Sequence, residues 1–249
     1  MNLPPRPAGI LLGLLVVYQN RRKEGEPPVV WTWLPMLGMR TLLTHRAYCA
    51  KSAVPADPEN SDMTQLKLLP AETEIAIMLS PSISTITFCN GDAAGALVWT
   101  RRRLAEILLA NPWLDGRLRR AEGGETVLLC PTSKPAEEDA LPAALFREGG
   151  ASISRAMPYE RVAAAIEAAG LLVKRGRDCI GRDEPLFKVA LLLDAEVPSD
   201  MFALSFSMSH VLGDGDTFYA VHNMLSKNAP VHPTPFTLQP KASFLNPEL

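Results

Sequence analysis

Cysteine and histidine are both scarce here, four of each among 249 residues. Cys49, Cys89, Cys130 and Cys179 contain no Cys-x-x-Cys pair and are too scattered to make a zinc-ligand set. They read as free thiols of a reducing compartment rather than a disulfide framework, which places the protein in the cytoplasm. Charge of either sign is not in excess. Lys and Arg number 25 against 27 Asp and Glu, a net of -2, so nothing in the charge favours nucleic acid as a partner. No Gly-x-Gly-x-x-Gly follows a strand-like run, which excludes a standard dinucleotide-binding unit. There is no internal repeat.

Long apolar runs are also missing. Ala8–Tyr18 is apolar but shorter than the roughly 20 residues a bilayer span needs. The basic stretch after it lacks a small-residue cleavage site. The second run, Val29–Met39, is broken by Pro35, and between Met1 and Ala56 the only acids are Glu24 and Glu26. Residues 1–62 therefore read as a poorly ordered leader and linker, with a signal anchor, a transit peptide or weak membrane association as alternatives. The other end, 229–249, carries five prolines and reads as an extended tail.

The organised part spans 63–228. Thr73–Leu79 and Ser84–Asn90 have the β-branched composition of short strands. Gly91–Asn111 has helical spacing, with Asn90 or Asp92 as its cap, Pro112 as its stop and Arg101–Arg103 as a solvated stripe. Glu122-Gly123-Gly124 reads as a hairpin tip, Ala140–Phe146 as a short helix, and Tyr159–Gly170 as an alanine-rich helix. Lys174–Pro185 reads as an exposed loop. Leu186–Leu193 and Met201–Met208 form a strand pair; in the second, Phe202, Leu204, Phe206 and Met208 alternate with small residues. A helix follows from Thr217. The fold class is α/β (α+β), a mixed sheet flanked by helices.

The chemistry-bearing segment is "SHVLGDG", Ser209–Gly215, between that last strand and the last helix. Gly213 and Gly215 permit a tight or left-handed bend. A carboxylate at Asp214, four residues after His210, can hold the ring or the loop. A histidine so held suits a general base. His210, Asp214 and Asp216 together also permit a metal-site reading, but hard-oxygen sites want more carboxylates, so no metal is assigned. His222 reads as a packed or solvated helix residue.

This segment resembles the His-His-x-x-x-Asp-Gly or His-x-x-x-Asp-Gly signature of the chloramphenicol-acetyltransferase-like superfamily. That group includes condensation domains, HxxxD acyltransferases and wax ester synthase/diacylglycerol acyltransferases. Upstream, "LAEILLANPWLDGRL" (Leu104–Leu118) resembles the group's early helix and the segment after it. The resemblance covers about 63–226 and suits the N-terminal lobe of the two-lobed members. It implies a sandwich lobe in which His210 takes a proton from an alcohol or amine. The freed nucleophile attacks an acyl thioester, carried by coenzyme A or a carrier protein, with no further cofactor. It implies that Asp214 holds the loop by an ion pair with an arginine, for which Arg117 is a candidate, and that Gly215 keeps a channel open. Ser209 stands where the doubled motif has its first histidine. The second lobe is expected to be supplied in trans, replaced by trimerisation, or lost in a truncated, non-catalytic lobe or binding module.

Overall fold

The computed structural model describes residues 63–131, 141–226 and 229–233, with two strands further upstream at 14–18 and 53–55. In chain order the strands are β1 (Leu14–Tyr18), β2 (Ala53–Pro55), β3 (Met63–Lys67), β4 (Ile83–Asn90), β5 (Arg117–Arg120), β6 (Thr126–Pro131), β7 (Phe146–Glu148), β8 (Phe187–Leu193) and β9 (Met201–Met208). The helices are α1 (Ile75–Leu79), α2 (Ala93–Ala110), α3 (Tyr159–Ala168), α4 (Gly176–Cys179) and α5 (Gly215–Met224). Five strands form one sheet in the order β1-β4-β9-β8-β7, and four form a second in the order β2-β3-β6-β5.

Strand β9 lies at the centre of the first sheet, antiparallel to β4 on one side and β8 on the other. Its period of two divides the core. Phe206 and Met208 point with Phe187, Val189 and Leu191 into a cluster that takes in Leu104, Ile107 and Leu108 of α2 and Phe218, Val221 and Met224 of α5. The opposite side of the sheet, with Ala203, Ala190, Leu192, Ile86 and Phe88, is covered by Val162 and Ile166 of α3. Both faces of β9 are thus shielded. Burying a large apolar side chain contributes about 1.5–3 kcal/mol, so this strand is a rigid base for whatever follows it.

Helix α2 begins where expected. Asp92 accepts from the amides of Ala94 and Gly95, both at 3.0 Å, satisfying donors that have no partner within the helix. The predicted hairpin, the helix after Pro158 and the β8–β9 pair are present as well.

Several expectations fail. Thr73–Leu79 contributes a short helix, not a strand: Met78 is buried while Ile75 and Leu79, four apart, face outward. A strand would have put Ile75, Ile77 and Leu79 on one face. Ser80 Oγ donates to the Ala76 carbonyl at 2.7 Å, closing the turn before Pro81. Around Pro142 the chain turns and then supplies the edge strand β7, parallel to β8. The loop 174–185 contains α4, with Gly176 and Cys179 buried. The arginine stripe is not uniformly solvated. Arg103 is buried, its Nε donating to the Met224 carbonyl at 2.6 Å and a second nitrogen to the Ala229 carbonyl, with Glu106 at 2.9 Å. Its head satisfies the carbonyl of the last residue of α5 and one in the segment that follows.

The stretch read as leader supplies two strands, β1 parallel to β4 and β2 antiparallel to β3. The rest of it, and 234–249 of the tail, lie outside the described residues. Of the tail's start, His232 offers its carbonyl to Asn111 Nδ2 at 3.2 Å.

Candidate active site

The bend between β9 and α5 is built almost wholly from backbone and packed side chains. Ser209 N donates to the Leu186 carbonyl at 2.8 Å, ending the β8–β9 ladder. Leu212 N then returns to the Ser209 carbonyl at 3.0 Å, and Val211 N reaches Ser209 Oγ at 3.3 Å. Ser209 is buried and serves the turn itself. Val211 and Leu212 are fully buried in the core. A β-carbon at Gly176 would lie 2.4 Å from Val211 Cγ2, so α4 packs backbone-close against the bend.

Asp214 is the N-cap of α5. Its Oδ1 accepts from Thr217 N at 3.0 Å, and its carbonyl accepts from Phe218 N at 2.9 Å. The sequence pattern suggested an aspartate holding the ring or the loop; the structure has it holding the helix start. Of the two geometries expected of the glycines, tight or left-handed, the left-handed one is not used. Neither has a positive φ. Gly213 is required by contact instead: a β-carbon there would meet Cβ and Cγ2 of Thr217 at 2.6 Å. A β-carbon at Gly215 would meet nothing within 4 Å, so the space beside the first turn of α5 is open.

His210 is half-buried at the start of this bend. Burial pushes its pKa below the usual histidine value, and the nearby Asp214 carboxylate pulls it partly back. The imidazole is therefore neutral at pH 7. Among the described residues no hydrogen bond reaches its ring, so neither nitrogen is occupied by this fold and Asp214 does not set the tautomer by direct contact. A neutral imidazole with an unused lone pair, partly open to solvent, can accept a proton.

Arg117 is not brought to Asp214. It lies on β5, where Nη1 meets Asp115 Oδ1 and Nε meets Asp183 Oδ1, both at 3.1 Å. Asp115 directly precedes β5 and Asp183 comes from the segment around α4, so both acid partners of Arg117 lie outside the bend. His222, on α5, is packed edge-on to Phe206 with ring centres 5.3 Å apart, and burial lowers its pKa too. Among the described residues no three of His, Cys, Asp or Glu come together as a metal site.

One feature of the site had only a faint signal in the sequence. Ser82, Ser84 and Ser207 form a buried ring of hydroxyls, with Oγ separations of 3.0, 2.7 and 3.1 Å. Val173 N donates into it at Ser207 Oγ, 3.0 Å away. Each hydroxyl can donate once and accept once around the ring, so no polar group is stranded. The small residues alternating along β9 hinted at a close-packed or polar face; the partners across the sheet were not visible. This ring ties β4 to β9 three residues before His210.

No protein-family model and no curated protein matches the sequence. Among solved structures, the chain is similar to TRI3 trichothecene 15-O-acetyltransferase from Fusarium sporotrichioides. The TM-score is 0.50 at 11% identity, over 71% of this chain and 36% of that one. This chain has the fold of a chloramphenicol-acetyltransferase-like lobe. Other matches are a condensation domain of the enacyloxin polyketide synthase (TM-score 0.36, 18% identity, 64% of this chain and 28% of that one) and the epimerization domain of tyrocidine synthetase TycB3 (0.38, 14%, 59% and 29%). The chain thus spans about a third of the length of the structures it matches. Within that lobe, the bend carrying His210 joins the central strand to the last described helix. No helix among the described residues is long and apolar enough to cross a membrane.

Proposed function

We propose that this lobe belongs to an acyltransferase in which His210 is the general base. The observation that carries the reading is the state of that imidazole: half-buried, held neutral, and without a hydrogen bond to its ring among the described residues. An acceptor alcohol or amine gives its proton to the free ring nitrogen. The oxygen or nitrogen so released attacks the thioester carbonyl of an acyl-CoA or acyl-carrier donor, forming the new ester or amide bond. The carbon–sulfur bond then breaks, and the leaving thiolate takes the proton from the imidazolium. Atoms and charge balance without metal or redox cofactor.

In this reading Asp214 works at one remove. It fixes the first turn of α5 and favours the imidazolium through space, which helps the ring hold the proton in transit. Gly215 leaves open space at the first turn of α5. The second wall of the passage is supplied by another lobe or another copy of the chain. The test is thiol release from a panel of acyl-CoAs with mixed alcohols and amines. His210→Ala should lower turnover about 10²–10⁴-fold, the usual worth of a general base. Equal rates for the two proteins would refute the role.

A second reading has one observation in its favour: the chain spans 36% of the acetyltransferase it matches. A lobe of this size is then a non-catalytic binding module. Light scattering separates the two, since an inert monomer favours the module and a trimer or a complex with a second lobe favours the enzyme.

A further inference from the structure

No hydrogen bond among the described residues reaches the His210 ring, and Asp214 is engaged with the start of α5. The place of the ring is therefore set through its backbone and the residue that follows it. That backbone is tied to the end of β8, where Ser209 N meets the Leu186 carbonyl. Behind it lies the segment 170–176, which joins α3 to α4.

This segment is clamped to the sheet from both strands of the β8–β9 pair. Gly170 closes α3 with a φ of +67°, the left-handed geometry that glycine allows. Lys188 Nζ, on β8, donates to the carbonyls of Gly170 and Leu172 at 3.0 and 3.2 Å. Directly across the register, Ser207 Oγ on β9 accepts from Val173 N at 3.0 Å. Burial works against the Lys188 charge and lowers its pKa, with Glu184 pulling it partly back. Its three protons let it hold two carbonyls at once. Leu171 and Val173 are buried between these ties. The segment ends at Gly176, buried against Val211 of the bend and Met78 of α1. Val211 follows His210 directly and is fully buried. A close-packed interior transmits strain, so a displacement at 176 reaches the residue beside the ring.

We propose that Gly176 and Lys188 are positioning residues for His210: Lys188 fixes the 170–176 segment to the sheet, and Gly176 sets, through Val211, where the ring stands. The inference rests on the acyl-transfer reading and deepens it, by naming what holds the base in place. An alanine β-carbon at 176 would lie 2.4 Å from Val211 Cγ2, whereas ordinary contact begins at 3.4 Å, so Val211 or α4 must give by about 1 Å. A misplacement of that size costs about 10²-fold in rate.

Two variants of the full chain test it, by acyl-transfer kinetics and by NMR of the histidine rings. Gly176→Ala should lower kcat about 10²-fold with KM little changed. It should shift the ring peaks of His210 and leave those of His222, packed on Phe206, and exposed His232 in place. Adding Val211→Ala makes room for the new methyl group and should restore both. Lys188→Met keeps the stem, removes the donor and leaves the packing at 176 untouched. It should speed hydrogen exchange at the Val173 amide and shift the same His210 peaks, which decides the matter where Gly176→Ala does not fold. His210 peaks that stay in both single variants, His222 peaks that move with them, or no rescue by Val211→Ala would each overturn the proposal. So would an unchanged kcat in Gly176→Ala where His210→Ala is inactive. If His210→Ala turns over normally while the single variants still shift the ring, the base assignment fails and the backing of the ring stands; an inactive His210→Ala with an unmoved ring overturns the backing alone.

Discussion

Replacing Gly213 and Gly215 one at a time separates two reasons for a glycine in the same bend. An alanine β-carbon at position 213 would sit 2.6 Å from Cβ and Cγ2 of Thr217 and 3.0 Å from its Oγ1. Thr217 is buried, and its amide is already tied to Asp214. Rotating the threonine moves Cγ2 and Oγ1 but leaves Cβ in place, so the backbone must give. Overpacking of this sort costs about 1–3 kcal/mol. At position 215 an added β-carbon meets nothing within 4 Å, and the backbone has no positive φ. Alanine there restricts the unfolded chain without straining the folded one, an expected gain of about 0.4–1 kcal/mol. Urea unfolding followed by circular dichroism, with unchanged m-values, reads both numbers. A loss for Gly213→Ala with a gain or no change for Gly215→Ala is expected. A loss at 215 as large as that at 213 would refute the argument that contact, not chain flexibility, shapes the bend.

Other outcomes follow from the same geometry. Asp214→Ala removes the cap of α5 and should cost about 0.5–2 kcal/mol in urea unfolding, while Asp214→Asn should restore most of it. Asp214→Asn should also lower the His210 pKa further in an NMR titration, since the carboxylate is what raises it. Both His210 and His222 have folded pKa values below the usual 6.5. The unfolded chain therefore takes up protons first as pH falls, so stability is full above about 6.5 and declines through that value toward the depressed folded pKa. Unfolding midpoints at about pH 8 and about pH 5 should show the fall, and His222→Gln should reduce it. Arg103→Leu strands the carbonyls of Met224 and Ala229 and should cost about 1.5–3 kcal/mol by thermal or urea unfolding. Cys179 is buried and its thiol is pushed up to about 11, chiefly by burial, so a thiol reagent should modify it only after unfolding.

What the sequence determined alone is local. The alternation in Met201–Met208, the glycine-containing turn after it and the apolar spacing from Thr217 define strand, bend and helix without reference to the rest of the chain, while the capping role of Asp214 showed only in the structure. Local spacing carries that information because strands repeat every two residues and helices every 3.6. The short apolar run at Ile75–Leu79 did not: five residues fit either period, and the helix wins where Met78 meets Gly176 across the fold. Long-range partners decided the remainder. Arg103 is a core residue because the carbonyls of Met224 and Ala229 come to it from over a hundred residues away. Ser207 is part of a hydroxyl ring because β4 lies beside β9. Arg117 answers to Asp115 and Asp183 rather than Asp214 because β5 belongs to the other sheet. The residue types of the site were written in one seven-residue stretch; which of them face solvent, and what each one touches, depended on elements that spacing along a chain cannot locate.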